Sequence, residues 1–102
     1  MSDSFISVTS TQQGLQLKGD LVYANVSEVV KAGGTLLKNH KNDDILVNCA
    51  DVNRLDSAGI SLLLEWKRLC LQLNKKFQLE GLPQQAVSLI TTYQLKDLLD
   101  LG

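Results

Sequence analysis

The chain shows two kinds of hydrophobic pattern in turn: one with the two-residue period of a strand, and one with the spacing of three and four residues that a helix has. Apolar and polar positions alternate weakly over residues 5–10 and cleanly over residues 15–18, with Thr11-Gln12-Gln13-Gly14 between them. A period of two on both sides of a polar, glycine-ending stretch predicts a β-hairpin, which Gly19-Asp20 ends.

A helical pattern follows the hairpin. From Val26 to Leu37, apolar residues recur at spacings of three and four, which predicts the first helix. Gly33 and Gly34 lie inside it, and each costs about 1 kcal/mol relative to alanine in a helix interior. Either the helix is locally weak or another element packs closely there, and we favour close packing.

The middle of the chain predicts a buried strand and a long helix. Ile45 to Cys49 form a short, nearly unbroken apolar run, typical of a strand in a sheet that helices cover. Asp51 to Asp56 predict a loop, and Ser57 to Lys75 a long helix. Phe77 to Glu80 alternate again and predict another strand.

The last third of the chain completes an alternating order. Gly81-Leu82-Pro83 breaks the strand, a third helix runs from Pro83 to about Thr92, and residues 93–101 predict a shorter helical piece. The order strand, strand, helix, strand, helix, strand, helix predicts an α/β fold with a mostly parallel sheet and an antiparallel opening hairpin. With 102 residues and no linker or repeat, we expect a single domain over residues 1–102.

The long helix is apolar over an unusually wide arc. Advancing 100° per residue, its apolar side chains spread over about 220°, more than twice the stripe of a simple surface helix. Its polar residues share an arc of roughly 80°; they are Ser61, Glu65, Arg68, Gln72 and Lys75. Either this helix lies between the other two and is buried on three sides, or one flank is an exposed patch for a partner.

Charge and composition argue against several function classes. Ten Lys and Arg residues against eleven Asp and Glu leave a net charge of -1, which gives no field to attract nucleic acid or an anionic bilayer. The leucine-rich run that starts at Ile60 meets Glu65 after five residues, too early for a membrane span. Any membrane role would therefore depend on a partner.

Candidate catalytic chemistry is sparse. His40 is the only histidine and lies in the charged stretch 38–44, which predicts a loop. A metal site or a serine triad would have to be built around that one imidazole. Cys49 in a strand pattern and Cys70 in a helix pattern indicate small buried hydrophobic residues. We expect no enzyme activity, metal or cofactor.

The most distinctive segment is Asp56-Ser57-Ala58-Gly59, between a strand pattern and the long helix. Asp56 or Ser57 would cap the helix, which is worth about 1 kcal/mol, and Gly59 would let the helix approach the sheet. A helix N-terminus also favours a phosphate or a partner's carboxylate. Ser57 would then be a recognition hydroxyl, and its phosphorylation would add a charge of about -2 beside Asp56, a plausible off switch.

Four stretches carry a family resemblance: residues 15–21, residues 45–59 with the Asp-Ser-Ala-Gly motif, residues 60–73 and residues 77–82. Together they resemble STAS domains, the small α/β modules of anti-anti-sigma factors and of transporter subunits. The resemblance covers nearly the whole chain. It implies a four- to five-stranded mixed sheet covered by three to four helices.

Within the family, the chain looks closer to the stand-alone STAS subunit of the Mla-type phospholipid ABC transporter, which typically has a single hydroxyl after the aspartate. This branch implies a non-catalytic, cytoplasmic accessory subunit that binds and stabilises or regulates the ATPase of a complex maintaining outer-membrane lipid asymmetry. It would reach the inner membrane only through that complex. By position, Ser57 lies at the docking surface, surrounded by Asp56, Ala58, Ser61 and Leu62.

The alternative branch is an anti-anti-sigma factor. These proteins usually carry two hydroxyl residues between the aspartate and the glycine, one of which an anti-sigma kinase phosphorylates. This chain has Ser57 but then Ala58, which departs from that pattern. The alternative implies regulation by phosphorylation of Ser57, with an anti-sigma kinase as the partner.

Overall fold

A computed structural model describes residues 4–99, in which strands and helices alternate in the predicted order. The elements are β1 (Ile6–Ser10), β2 (Gly14–Leu21), α1 (Ser27–Asn39), β3 (Asp44–Leu55), α2 (Ser57–Gln72), β4 (Lys76–Glu80) and α3 (Gln84–Thr92). The strands form one sheet in the order β1-β2-β3-β4. β1 pairs antiparallel with β2, whereas β2, β3 and β4 are parallel. The predicted α/β class with a mixed sheet is confirmed. Residues 4–99 contain four strands and three helices, the lower bounds of the four to five strands and three to four helices that the resemblance implied.

The hydrophobic core lies between one face of the sheet and the helices. Along β2, Leu15, Leu17 and Leu21 are fully buried, whereas Gln16 is half-buried and Lys18 is exposed. This period of two places every second side chain in the core. The buried residues form one cluster, whose largest members from the other elements are Trp66, Leu37, Ile45, Leu55, Leu63, Ile90 and Leu99.

Strand β3 is longer than the sequence pattern indicated. Residues 51–55, predicted as a loop, continue the strand and pair with β2 as far as Leu21 opposite Leu55. The register shifts twice along this pair, so the buried positions after Cys49 are Val52 and Leu55, three residues apart. Because the shifts interrupt the period of two, the end of β3 did not read as a strand.

Other element ends also differ. The second hairpin strand continues past Gly19-Asp20 to Leu21, because Gly19 adopts a φ of 116° that a glycine tolerates. Helix α2 ends at Gln72 rather than Lys75: Asn74 takes a left-handed φ of 59°, which ends the helical path.

The C-terminal part of the chain is less helical than predicted. Helix α3 begins at Gln84, directly after Pro83 at the N-cap position. Residues 93–99 form turns instead of a further helix. Gln94 has a φ of 58°, which is incompatible with a continuous helix. Residues 100 and 101 of the predicted terminal helix lie outside the described residues.

Helix α2 packs against both other helices and against β3 and β4. This arrangement accounts for most of its wide apolar arc, because Leu63, Trp66 and Cys70 are at most 1% exposed. Leu71 is the exception, at 63% exposure. The first of the two explanations for the wide arc therefore holds for most of the helix.

The two adjacent glycines of α1 have different surroundings. A Cβ atom on Gly33 would lie 2.1 Å from Cζ2 of Trp66, so only glycine fits there. The Trp66 indole N–H also donates to the carbonyl of Val30 at 3.3 Å, which holds α2 against α1. A Cβ atom on Gly34 would meet only Leu69, at 3.6 Å. The close-packing prediction is correct for Gly33, but packing inside the chain does not explain Gly34.

Candidate functional site

The Asp-Ser-Ala-Gly segment lies where the parallel strands β2 and β3 end and the helices α1 and α2 begin. Leu21 ends β2 and Leu55 ends β3, and the N–H of Asp56 donates to the carbonyl of Leu21 at 3.4 Å. In α/β sheets, binding sites collect at this end, because loops and helix N-termini meet there.

The Asp56 carboxylate joins two parts of this end of the molecule. Its Oδ1 accepts hydrogen bonds from the backbone N–H of Ala58 at 2.9 Å and of Gly59 at 3.2 Å. Its Oδ2 accepts from the N–H of Tyr23 at 3.0 Å. The carboxylate therefore caps α2 and also holds the segment between β2 and α1.

Gly59 allows α2 to start against the sheet. A Cβ atom at this position would lie 2.3 Å from the carbonyl oxygen of Leu21, a distance that atoms do not reach without a shift of backbone. The predictions that Asp56 or Ser57 caps the helix and that Gly59 permits close approach are both confirmed. Ser57 is the first residue of α2, and Asp56, not Ser57, makes the capping hydrogen bonds.

The sequence-predicted site residues lie close together but differ in exposure. Ser57 and Ser61 are exposed and stand one helical turn apart. Ala58 is half-buried, and Leu62 is only 4% exposed. Ser57 and Ser61 are therefore the accessible hydroxyls, while Ala58 and Leu62 supply apolar surface below them.

A shallow groove of about 400 Å³ lies beside these residues. One wall of the groove belongs to α2 and consists of Ala58, Ser61 and Leu62. The opposite wall consists of Tyr23, Val26 and Val30, and Glu65 lies at one end. The side chain of Tyr23 is 82% exposed and that of Val30 41% exposed. Apolar surface that stays exposed beside polar groups is typical of a protein-binding site.

The sequence analysis missed this second wall. Val26 and Val30 are four residues apart and were assigned to the core-facing stripe of the first helix, and Tyr23 lay in an unassigned segment. An exposed aromatic residue directly before a helix was the one available signal. Tyr23 becomes recognisable as a contact residue only once the fold shows that it lies beside the Ser57 end of α2.

A polar cluster next to the groove holds the N-terminal segment in place. Arg54 forms an ion pair with Asp20 at 3.1 Å, and the Ser4 hydroxyl donates to the same carboxylate at 3.0 Å. The side-chain amide of Asn25, which is buried, donates to Ser4 at 2.6 Å and to the carbonyl of Asp20 at 3.1 Å. The hydrogen bond from Arg54 is the main reason that the pKa of Asp20 is lowered.

His40 lies at the other end of the molecule, after α1. Its Nε2 is 2.8 Å from the carbonyl oxygen of Thr11, and its Nδ1 accepts from the N–H of Asn42 at 3.1 Å. Nε2 therefore fastens the loop to the opening hairpin, and Nδ1 holds the loop itself together. The predicted loop position of His40 is confirmed.

The remaining reactive groups are buried thiols. Cys49 and Cys70 are free and buried, and burial raises the pKa of Cys49 to about 12 and that of Cys70 to about 11. Within residues 4–99, no group of His, Cys, Asp or Glu side chains is arranged to hold a metal ion. No helix in the same range is long and apolar enough to cross a membrane.

Comparison with known proteins agrees with this arrangement. A family model described as "Mlab, STAS domain" matches residues 5–100. The chain belongs to the STAS family. The match also confirms the resemblance of this STAS domain to the MlaB type.

A solved structure has the same fold as this STAS domain. It is the anti-sigma factor antagonist SpoIIAA in its unphosphorylated form, with a TM-score of 0.71 and 16% sequence identity. The similarity covers 91% of this chain and 84% of that chain. No curated protein matches this STAS domain. At this identity the likeness establishes a common fold and leaves activity to be argued from the site.

Proposed function

We propose that this STAS domain is a non-catalytic accessory subunit that binds and stabilises or regulates the ATPase of a phospholipid-transporting ABC complex. Docking uses the Ser57 surface, which we define as Ser57, Ser61 and the groove lined by Tyr23, Val30 and Leu62. The MlaB-type family match supports this branch. In such a complex the subunit sits on the cytoplasmic side of the inner membrane.

The observation that carries the proposal is an exposed hydroxyl at a helix start beside an apolar groove. Ser57 is exposed, and the adjoining groove presents Tyr23 and Val30 to solvent. Aromatic side chains next to apolar pockets contribute much of the binding energy at protein interfaces. A partner that inserts an apolar side chain here would remove water from both walls and form a hydrogen bond with the Ser57 hydroxyl at the rim.

The hydrogen bonds around Ser57 determine what a phosphate there would meet. The N–H groups of Ala58 and Gly59 already donate to Asp56, so they are not available to a phosphate on Ser57. Arg54 is paired with Asp20. A phosphate on Ser57 would therefore add a charge of about -2 beside the Asp56 carboxylate, which is compatible with an off switch for docking as well as with the second candidate function below.

Within residues 4–99, the one histidine lies far from the Ser57 surface. A serine nucleophile needs a base within hydrogen-bonding distance. His40 lies after α1, at the opposite end of the sheet, where Thr11 and Asn42 occupy its ring nitrogens. The proposed role of Ser57 is therefore recognition.

The second candidate function is an anti-anti-sigma factor that an anti-sigma kinase regulates by phosphorylating Ser57. The structural match to the anti-sigma factor antagonist favours it, as does the exposure of Ser57, which leaves the hydroxyl open to a kinase. Intact-mass measurement after incubation with the host's kinases tests this candidate. Addition of one phosphate that Ser57→Ala abolishes supports it, and an unmodified chain under every condition excludes it.

Ser57→Arg tests the docking proposal. We expect the variant to fold with a free energy of unfolding within about 0.5 kcal/mol of wild type, because Ser57 is exposed. Its affinity for the purified ATPase should fall at least about 100-fold, because arginine places a long cation at the rim of the groove, where it would clash with a partner that inserts there. Ser88→Arg, an exposed serine on α3, is the matched control and should bind normally. Wild-type affinity of Ser57→Arg would contradict the proposal.

A further inference from the structure

The groove beside Ser57 continues along the seam between α1 and α2. A second depression of about 290 Å³ follows it, and the two share Val30 and Glu65 as lining residues. We call the combined depression, from Tyr23 at one end to Lys38 at the other, the interhelix groove. A groove between two helices is a shape that receives a third helix.

Gly34 lines the second half of the interhelix groove. Glycine is among the least favourable residues in a helix interior, yet a side chain here would meet only Leu69, at 3.6 Å. Its neighbour Gly33 has to be glycine, because a Cβ atom there would lie 2.1 Å from Cζ2 of Trp66. The fold therefore explains Gly33 but not Gly34, whose missing side chain lets another backbone approach the groove.

The two halves of the interhelix groove differ in charge. The half near Ser57 is apolar, with Tyr23 and Val30 exposed. Lys31, Lys38 and Arg68 line the other half together with Glu65. Glu65 pairs with Arg68 at 3.0 Å, whereas Lys31 and Lys38 form no ion pair within residues 4–99. The second half therefore offers two cations to a partner.

We propose that the interhelix groove receives an amphipathic helix of the partner ATPase, with an apolar side chain at the Ser57 end and carboxylates that meet Lys31 and Lys38. This inference rests on the proposed function and specifies the partner's segment. Val30 and Lys38 are eight residues apart, about 12 Å along α1. The carboxylate that meets Lys38 should accordingly lie about two helical turns from the apolar anchor, and the one that meets Lys31 nearly level with it.

The direct test compares Gly34→Gln with Ala32→Gln, a matched change at an exposed position of the same helix outside the groove lining. Gly34→Gln should raise the thermal midpoint, because glutamine favours a helix, and should weaken ATPase binding at least about tenfold by filling the groove. Ala32→Gln should leave the affinity unchanged. The double variant Lys31→Glu, Lys38→Glu should weaken binding by a similar factor.

The outcomes separate this inference from the proposed function. If Ser57→Arg abolishes ATPase binding while Gly34→Gln and the double lysine variant bind normally, the groove inference is wrong and the docking surface stands. If all of these variants bind normally, both are wrong. A photo-crosslinking residue at Thr35, inside the groove, should capture an ATPase segment with an acidic residue about two turns from an apolar one. Capture of a second copy of this chain, or of a segment without acidic residues, would overturn the inference.

Discussion

The two ends of the sheet use their polar side chains differently. At the end where β3 and β4 begin, side chains fasten loops to one another. The Lys75 ammonium donates to the carbonyls of His40 at 2.7 Å and Asn42 at 2.6 Å, and His40 contacts the carbonyl of Thr11. At the opposite end, a single carboxylate, that of Asp56, holds both α2 and the segment before α1.

This difference shows where the chain can meet a partner. At its end, Asp56 and the polar cluster of Asp20, Asn25 and Arg54 hold the backbone, and Ser57, Ser61 and Tyr23 remain exposed. At the other end, His40, Asn42 and Lys75 bind one another and the opening hairpin. The Asp56 end therefore has the features of a recognition surface, whereas the polar side chains of the His40 end connect loops within the chain.

The largest expected effect is at Gly59, which holds the recognition end against the sheet. Gly59→Ala should lower the free energy of unfolding by about 2 to 3 kcal/mol, because the new methyl group overpacks the site; it would lie 2.3 Å from the carbonyl of Leu21. Denaturant unfolding measures this change. Gly34→Ala is the matched control and should stabilise by up to about 1 kcal/mol. Equal effects of the two substitutions would contradict the packing argument.

Asp56→Ala should come next. Loss of the helix cap and of the acceptor for Tyr23 should cost about 2 kcal/mol. Asp56→Asn should recover much of the loss, because its amide oxygen can still accept from the N–H groups of Ala58 and Gly59. Hydrogen exchange should show faster exchange at the amides of Tyr23, Ala58 and Gly59 in Asp56→Ala. Unchanged exchange at Tyr23 would show that Asp56 does not hold the segment before α1.

The structural end provides the contrasting prediction. Lys75→Met keeps the aliphatic stem but removes the donor to His40 and Asn42, which should cost about 1 kcal/mol in unfolding free energy. Binding to the ATPase should stay at the wild-type level, because the proposed docking surface lies at the opposite end of the sheet. A loss of affinity comparable to that of Ser57→Arg would break the division between the two ends.

The smallest expected effect is a dependence of stability on pH at the polar cluster beside the groove. Arg54 lowers the pKa of Asp20 in the folded chain, so the charged carboxylate favours the folded state. Its contribution is present above the unfolded pKa and is lost as the pH falls below about 4. Asp20→Asn should therefore reduce the slope of stability against pH in this acid range. An unchanged slope would show that the ion pair contributes nothing.

The sequence predicted the fold better than its boundaries. The hydrophobic periodicity predicted seven elements in the correct order. It did so because the strands and helices turn their apolar side chains towards one common core. The end of β3 was missed because two register shifts move its buried positions from a spacing of two to a spacing of three at Val52 and Leu55. Register depends on the neighbouring strand, which a local pattern does not contain.

The candidate site was predicted in part for a similar reason. Asp56 and Ser57 stand out locally, because capping chemistry and the helix start are adjacent in sequence. Tyr23 lies 33 residues before Asp56 and reaches it only through the fold. The different surroundings of Gly33 and Gly34 also depend on Trp66, in another helix.

The measurement that tests the central claim most directly is purification of the tagged chain from its own cells in mild detergent. Mass spectrometry then identifies what accompanies it and the state of Ser57. We predict an ABC ATPase with its permease, unmodified Ser57, and loss of both partners in Ser57→Arg but not in Ser88→Arg. Recovery of a kinase-like anti-sigma factor, with a fraction of Ser57 phosphorylated, would contradict the account.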